Sequence, residues 1–147
     1  MRTIFDYNTC LELIDRIDKL SGQSKAGWGK MNIYQMLKHC TMSEEMILGK
    51  KPYKRLFIGR LFGKIALSTV LKGDGPMKKS QPTHPELKIK GNGNVEAQKQ
   101  KWISLLKEYA SYGNTNYIHP FFGKMTLDQI GQFVYKHTDH HLRQFGQ

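Results

Sequence analysis

The chain has 147 residues and a formal net charge of +11, the size of a single domain that can bury its own core. Its two cysteines, Cys10 and Cys40, argue against a disulfide scaffold and fit a reducing cytoplasm. No stretch approaches the about 18–20 consecutive apolar residues of a membrane span, and the first residues do not resemble a secretory signal. We therefore expect one cytoplasmic domain over residues 1–147.

The positive charge is concentrated in the middle of the chain. No acidic residue lies between Glu45 and Asp74, while lysines and arginines recur from residue 50 to residue 90. Such a surface could bind nucleic acid or an anionic small molecule, or simply face water. Because no helix-turn-helix, zinc-finger or RNP-type pattern accompanies it, we do not expect nucleic acid as a partner.

Hydrophobic spacing predicts two helices in the first third of the chain. In the first helix, Thr9 is the expected N-cap, with Glu12 completing a T-x-x-E capping box. Its inward stripe is Cys10, Ile14, Ile17 and Leu20. The second helix is expected from about Asn32 to Leu48, since Gly49 and Pro52 follow. Its inward stripe is Ile33, Met36, Leu37, Cys40 and Ile47.

Residues 56–71 predict a third, shorter helix that is apolar nearly all round. A helix of this kind is usually covered on more than one side. We therefore expect it to be sandwiched in the fold, to form part of a homodimer interface, or to roof a cleft. Attachment to a membrane surface is the less favoured alternative, because basic residues are present but the polar face of the helix is too narrow.

A long irregular connection is expected over residues 72–94, which are rich in Gly, Pro and Lys. Connections of this length are often lids or binding loops, although an ordinary surface crossover fits equally well. A helix should follow over residues 95–112, with Val95, Trp102, Leu105, Leu106 and Tyr109 as its stripe. Residues 114–125 read as a loop.

The last helix should begin at Thr126, where Gln129 completes a second capping box. Nothing in the pattern indicates a sheet. The long helices, with one shorter element and one long connection, predict an all-α fold. We expect an up-down four-helix bundle with a long crossover and an extra short helix.

Two histidines continue the apolar stripe of the last helix. His137 and His141 follow Ile130 and Val134 at spacings of three and four residues, so their rings stack one turn apart on the buried face. Two histidines at this spacing can direct nitrogen atoms at one metal ion. His140 lies about 100° further round the helix and should point to the flank.

A third ligand should come from another helix. His39 lies on the core side of the second helix, between Met36 and Cys40. Three histidines with one open position resemble a catalytic metal site, because a closed structural zinc site takes four protein ligands. The alternative is a set of hydrogen-bonded core histidines. Cys40 could be a further ligand or a nucleophile, but a small core residue is the simpler interpretation.

Other titratable side chains are not expected in the site. His84 and His119 each precede a proline in a predicted loop, and their spacing suggests no ligand role. Glu44 and Glu45 could support general-base chemistry, but acids on helices usually face solvent. We expect both to do so.

The motifs around these histidines resemble those of the DinB-like superfamily, which includes the bacillithiol and mycothiol transferases. The ending KHTDHHLRQFG matches its H-x-x-H-H-x-x-Q pattern at His137, His140, His141 and Gln144. The stretch WGKMNIYQMLKHC, residues 28–40, resembles the segment that carries the superfamily's first metal ligand. The stretches HPFFGKMT (119–126) and PTHPELKIKG (82–91) resemble an uncharacterised subfamily.

The resemblance implies metal ligands at His39, His137 and His141, in a four-helix bundle that is often dimeric. It implies a divalent ion, zinc or nickel above all, that activates a low-molecular-weight thiol for attack on an electrophile. A metal-dependent transferase or hydrolase acting on a small-molecule substrate is the resulting expectation. A non-catalytic bundle that binds a small molecule or metal is the alternative, and a basic interaction protein is the second. Residues 50–94 depart from general superfamily features, so they leave the substrate undefined.

Overall fold

A computed structural model describes residues 1–147, and it is largely helical, as expected. It contains five α-helices and one small two-stranded sheet. In chain order the elements are α1 (Tyr7–Asp18), α2 (Ile33–Ile47), α3 (Phe57–Val70), α4 (Val95–Lys107), β1 (Ile118–His119), β2 (Gly123–Lys124) and α5 (Leu127–Gln144). No helix combines the length and apolar character that crossing a membrane would require.

The predicted start of α5 is confirmed. Thr126 accepts from the backbone N–H of Gln129, and the Gln129 side chain accepts from the backbone N–H of Thr126. The predicted N-cap of α1 is wrong by three residues. Asp6 is the N-cap, and its carboxylate accepts from the backbone N–H of Thr9 at 2.7 Å. The Asp6 carboxylate satisfies one of the N–H groups left free at the start of the helix. Thr9 lies within the first turn and is buried.

Four helices share the main core. α2 packs against α4 and α5, and α1 packs against the same two helices. Trp102 on α4 is fully buried at their centre, in one cluster that draws apolar side chains from all five helices. Near its end the predicted helix 95–112 tightens into a 3-10 turn over Glu108–Ser111. This packing places side chains of α2 and α5 opposite each other.

Residues 114–125 are not purely a loop, contrary to the sequence-based expectation. They contain an antiparallel hairpin in which Ile118 pairs with Lys124 and His119 with Gly123. The His119 Nδ1 accepts from two backbone N–H groups of the turn, those of Phe121 and Phe122. Strands of two residues are too short to show an alternating pattern, so the sequence could not indicate them.

Helix α3 is confirmed, but its packing differs from the expectation. Gly59 and Gly63 lie against the hairpin turn so closely that a Cβ at Gly63 would be 2.1 Å from the backbone oxygen of Phe121. Its buried residues are Gly59, Gly63 and Leu67. The other face is exposed, so α3 is not covered on several sides within the chain. A homodimer interface stays a prediction.

Residues 72–94 form the expected irregular connection between α3 and α4. Their only helical piece is a 3-10 turn over Pro85–Leu87, which packs against α2. The connection, and not α3, therefore reaches the part of α2 that carries His39.

Candidate metal centre

Three buried histidines meet where α2 faces α5. His39, His137 and His141 are only 4%, 9% and 6% exposed, respectively. Each ring offers one nitrogen atom, and these three nitrogen atoms all lie within 4.8 Å of one another. The structure thus brings together the three residues that the sequence analysis selected. They could hold a metal ion.

Hydrogen bonds fix the protonation of two of these rings. The Nδ1 of His39 lies 3.0 Å from the backbone oxygen of Leu87, which can only accept, so Nδ1 carries the proton. The Nδ1 of His141 likewise donates to Gln144 Oε1 at 2.9 Å. The Gln144 Nε2 in turn donates to the backbone oxygen of Trp28 at 2.9 Å. Both histidines therefore keep the Nε2 lone pair free, as metal-binding histidines do.

His137 completes the cluster in a different way. Its Nε2 lies 3.2 Å from the Nε2 of His39, and its Nδ1 is buried without a hydrogen-bond partner. Since His39 Nε2 carries a lone pair, this close contact needs a bridging proton or a bridging cation. Two nitrogens bound tetrahedrally to one zinc ion lie about 3.3 Å apart. The observed separation of this pair therefore fits a shared ion.

All three rings are held neutral by their surroundings. Burial is the main cause of all three shifts. It lowers the pKa of His39, and it lowers the pKa values of His137 and His141 well below the usual value. The neighbouring imidazoles act in the same direction. Neutral imidazole is the form that binds metal ions, so the cluster is in its ligand form near neutral pH.

The other three histidines lie outside this cluster. The His140 ring packs edge-on against Trp28, with centroids 5.8 Å apart, on the flank where the sequence placed it. His119 is buried in the hairpin, and burial lowers its pKa to about 3. Its ring packs against Phe133, which in turn stacks on His137. His84 interacts instead with Tyr53.

The connection over residues 72–94 contacts the histidine cluster through Leu87 and borders a cleft that is lined on another side by His140. Leu87 contributes the carbonyl bound to His39, and the Lys79 ammonium lies 4.3 Å from the ring centroid of Trp28. The side chains along the cleft include two cations and two aromatic rings: Trp28, Met77, Lys79, His140 and Arg143.

Cys40 belongs to the core and not to the cluster. It is fully buried, its thiol contacts the sulfur of Met36, and burial raises its pKa well above the usual value. The thiolate that a ligand or nucleophile requires is therefore disfavoured. The simpler interpretation of Cys40 agrees with this geometry.

Glu44 corrects the expectation that the acids of α2 face solvent. Its side chain is fully buried, accepts from the Tyr109 hydroxyl at 2.5 Å, and has a pKa raised by burial to about 7. The sequence carried a signal that was overlooked, because Glu44 lies four residues after Cys40 on the inward stripe of α2. Glu45 is partly exposed and pairs with Lys101.

These features define a largely helical protein with three converging histidines that could hold a divalent ion. A family model described as a protein of unknown function, DUF1569, matches residues 2–147. The chain therefore belongs to the DUF1569 family. Searches of curated proteins and of solved structures found no match.

Proposed function

We propose that this protein is a metal-dependent enzyme whose His39, His137 and His141 bind one divalent ion, zinc or nickel. The observation that carries the proposal is the convergence of three neutral, buried imidazoles, two of them oriented by carbonyl acceptors. The Nε2 atoms of His39 and His137 lie 3.2 Å apart, a separation that one bound ion could span. The Nδ1 protons of His39 and His141 leave the Nε2 lone pairs of these two rings available to the same ion.

We also propose that the fold is a DinB-like up-down four-helix bundle. The mutual packing of α1, α2, α4 and α5 supports this architecture. In it, α3 would be the extra short helix and residues 72–94 the long crossover. The proposed ligands match the motif positions that the resemblance marks.

The resemblance to the DinB-like superfamily suggests the reaction class, and the charge of the ligands is compatible with it. Three neutral imidazoles leave the charge of a divalent ion uncompensated, which favours an anionic group at the open position. A bound ion would supply Lewis acidity, which lowers the pKa of a thiol or of water and so provides a nucleophile near neutral pH. We therefore propose transfer of a low-molecular-weight thiol to an electrophile, or hydrolysis. Lys79 and Arg143 along the cleft suit an anionic substrate.

The experiment is elemental analysis of protein that was purified without a histidine tag and dialysed against zinc or nickel. We expect about one ion per chain, with binding nearly abolished in His141→Ala because two ligands rarely hold a divalent ion firmly. His140→Ala should retain most of the ion, and His84→Ala is the matched control. Protein without stoichiometric metal, or loss of metal in His140→Ala in place of His141→Ala, would overturn the proposal.

A second measurement separates catalysis from binding alone. Metal-loaded protein is assayed for consumption of a small thiol by an alkylating electrophile, and for ester hydrolysis, beside the His141→Ala variant. Activity that requires His141 supports an enzyme. Stoichiometric metal with no activity in either assay would favour the non-catalytic metal-binding alternative.

A further inference from the structure

The exposed side of α3 is the largest apolar feature of the surface that the proposed metal site does not explain. Phe57 is 76% exposed and Phe62 is 54% exposed. With three further residues they define what we call the α3 face: Phe57, Ile58, Leu61, Phe62 and Ile65. At about 100° per residue these positions fall within one sector of about 140° on the helix. They form one continuous stripe.

The packing of α3 fixes this stripe on the outside. Gly59 and Gly63 press against the backbone of Phe121 in the hairpin turn, and the ammonium of Lys64 donates to the backbone oxygen of Lys124. The helix therefore cannot rotate to bury the stripe without losing these contacts. The same packing removes the objection that the polar face is too narrow for a membrane-surface helix. The side opposite the stripe is covered by the protein and needs no polar residues.

The charged residues of α3 and of the chain on either side of it, from residue 46 to residue 73, are all basic. Arg60 and Lys64 border the stripe along one edge, and both are exposed. Two further lysines are exposed nearby: Lys54, which precedes α3 in the chain, and Lys124, which lies in strand β2 of the hairpin. No acidic residue occurs between Glu45 and Asp74 in the sequence. A partner for this surface should be apolar and negatively charged.

A second copy of the chain fits these features poorly. A two-fold dimer that pairs α3 with an antiparallel copy of itself places the basic edge against the same basic edge, with no acid on α3 to offset the repulsion. Five side chains of this size, each more than half exposed, offer on the order of 500 Å². A standard interface takes about 800 Å² from each partner.

We propose that the α3 face docks the protein onto an anionic lipid bilayer, with α3 lying in the plane of the membrane. The stripe enters the boundary between headgroups and acyl chains, while Arg60 pairs with lipid phosphates. Glycine packing on the hairpin keeps the helix presented in this orientation. The proposal is independent of metal binding.

The test is co-sedimentation with vesicles of phosphatidylcholine alone or mixed equally with phosphatidylglycerol. The wild-type protein should sediment with the mixed vesicles and much less with the neutral ones. The double variant Phe57→Ser/Phe62→Ser should lose binding, whereas Tyr7→Ser is the matched control because Tyr7 is 74% exposed on α1. Circular dichroism checks that each variant is folded.

Charge reversal tests the basic edge separately. Arg60→Glu should weaken binding to the mixed vesicles on the order of tenfold, while Lys25→Glu, with the same net charge, should bind like wild type. Retained vesicle binding in the double phenylalanine variant would overturn the proposal, since charge alone would then suffice. So would a wild-type dimer in sedimentation that this variant dissociates, without vesicle binding, because the α3 face would then belong to a second copy.

Discussion

The buried carboxyl of Glu44 should make the protein less stable as the pH rises through neutrality. Burial is the main cause of its raised pKa, and the hydrogen bond from Tyr109 opposes that effect only in part. The indole N–H of Trp102 acts on this pKa in the same direction as Tyr109, but neither that N–H nor the second carboxyl oxygen forms a hydrogen bond of normal geometry. Replacing Glu44 by Gln keeps the shape and a hydrogen-bond acceptor for Tyr109 while removing the ionisation.

The magnitude follows from the difference between folded and unfolded states. The pKa is about 7 in the folded protein, against a usual value of 4.5. One unit of pKa corresponds to about 1.4 kcal/mol, so ionised Glu44 lowers the free energy of unfolding by about 3 kcal/mol. Because the folded pKa is the raised one, stability is full below pH 4.5 and is lost as the pH rises through about 7.

The assay is urea unfolding of wild type and Glu44→Gln at a series of pH values from about 5 to about 8, followed by circular dichroism. A chelator removes any contribution from bound metal. The five buried histidines, whose pKa values are lowered, favour folding as the pH rises, but they are the same in both proteins. The difference between the two curves therefore reports Glu44 alone.

We expect the Glu44→Gln protein to gain about 1.4 kcal/mol over wild type per pH unit within this window, until the difference levels off above about pH 7. Glu86→Gln removes an exposed carboxyl and should stay close to wild type throughout. Parallel curves for wild type and Glu44→Gln would refute the reasoning. They would mean that hydrogen bonds compensate the buried charge fully.

Two further predictions concern contacts that hold the site and α3 in place. Gln144→Ala removes the acceptor that orients His141, so we expect metal affinity, measured by competition with a chelator, to fall roughly 10–100-fold, with Gln100→Ala as control. Gly63→Ala forces a methyl group against a backbone carbonyl of the hairpin and should lower the free energy of unfolding by about 1–3 kcal/mol despite the better helix propensity of alanine. Gly75→Ala, where an added methyl group meets nothing, should not.

The helices could be predicted because local signals and burial agreed. Asn32 and Thr126 cap their helices through local hydrogen bonds, and the apolar stripes of α2 and α5 have the period of a helix. The same period placed His137 and His141 on the buried face. The association of these two residues with His39 required only that α2 and α5 be neighbours.

The remaining features depend on contacts that no local pattern encodes. The hairpin is held by His119 accepting from the turn, which is visible only once the ring is placed. The glycines of α3 could have indicated a closely packed face, but their partner is the backbone of Phe121, which lies some sixty positions away along the chain. The carbonyl of Leu87 that orients His39 comes from a connection without regular structure.

Burial favours the neutral forms of both Glu44 and His39, but this prepares only His39 to bind a cation. Both lie on α2, and burial disfavours the charged form of each. For His39 the neutral form is the one that offers a lone pair, so burial prepares it for a cation next to His137. For Glu44 the neutral form is the protonated carboxylic acid. Because no cation lies beside it, ionising this buried group costs free energy. His39, whose neutral form can bind a cation, faces His137 on α5. Glu44, whose ionisation is costly, faces Tyr109. An ion should accordingly bind on the histidine side of α2, and the Glu44→Gln protein should bind it as wild type does.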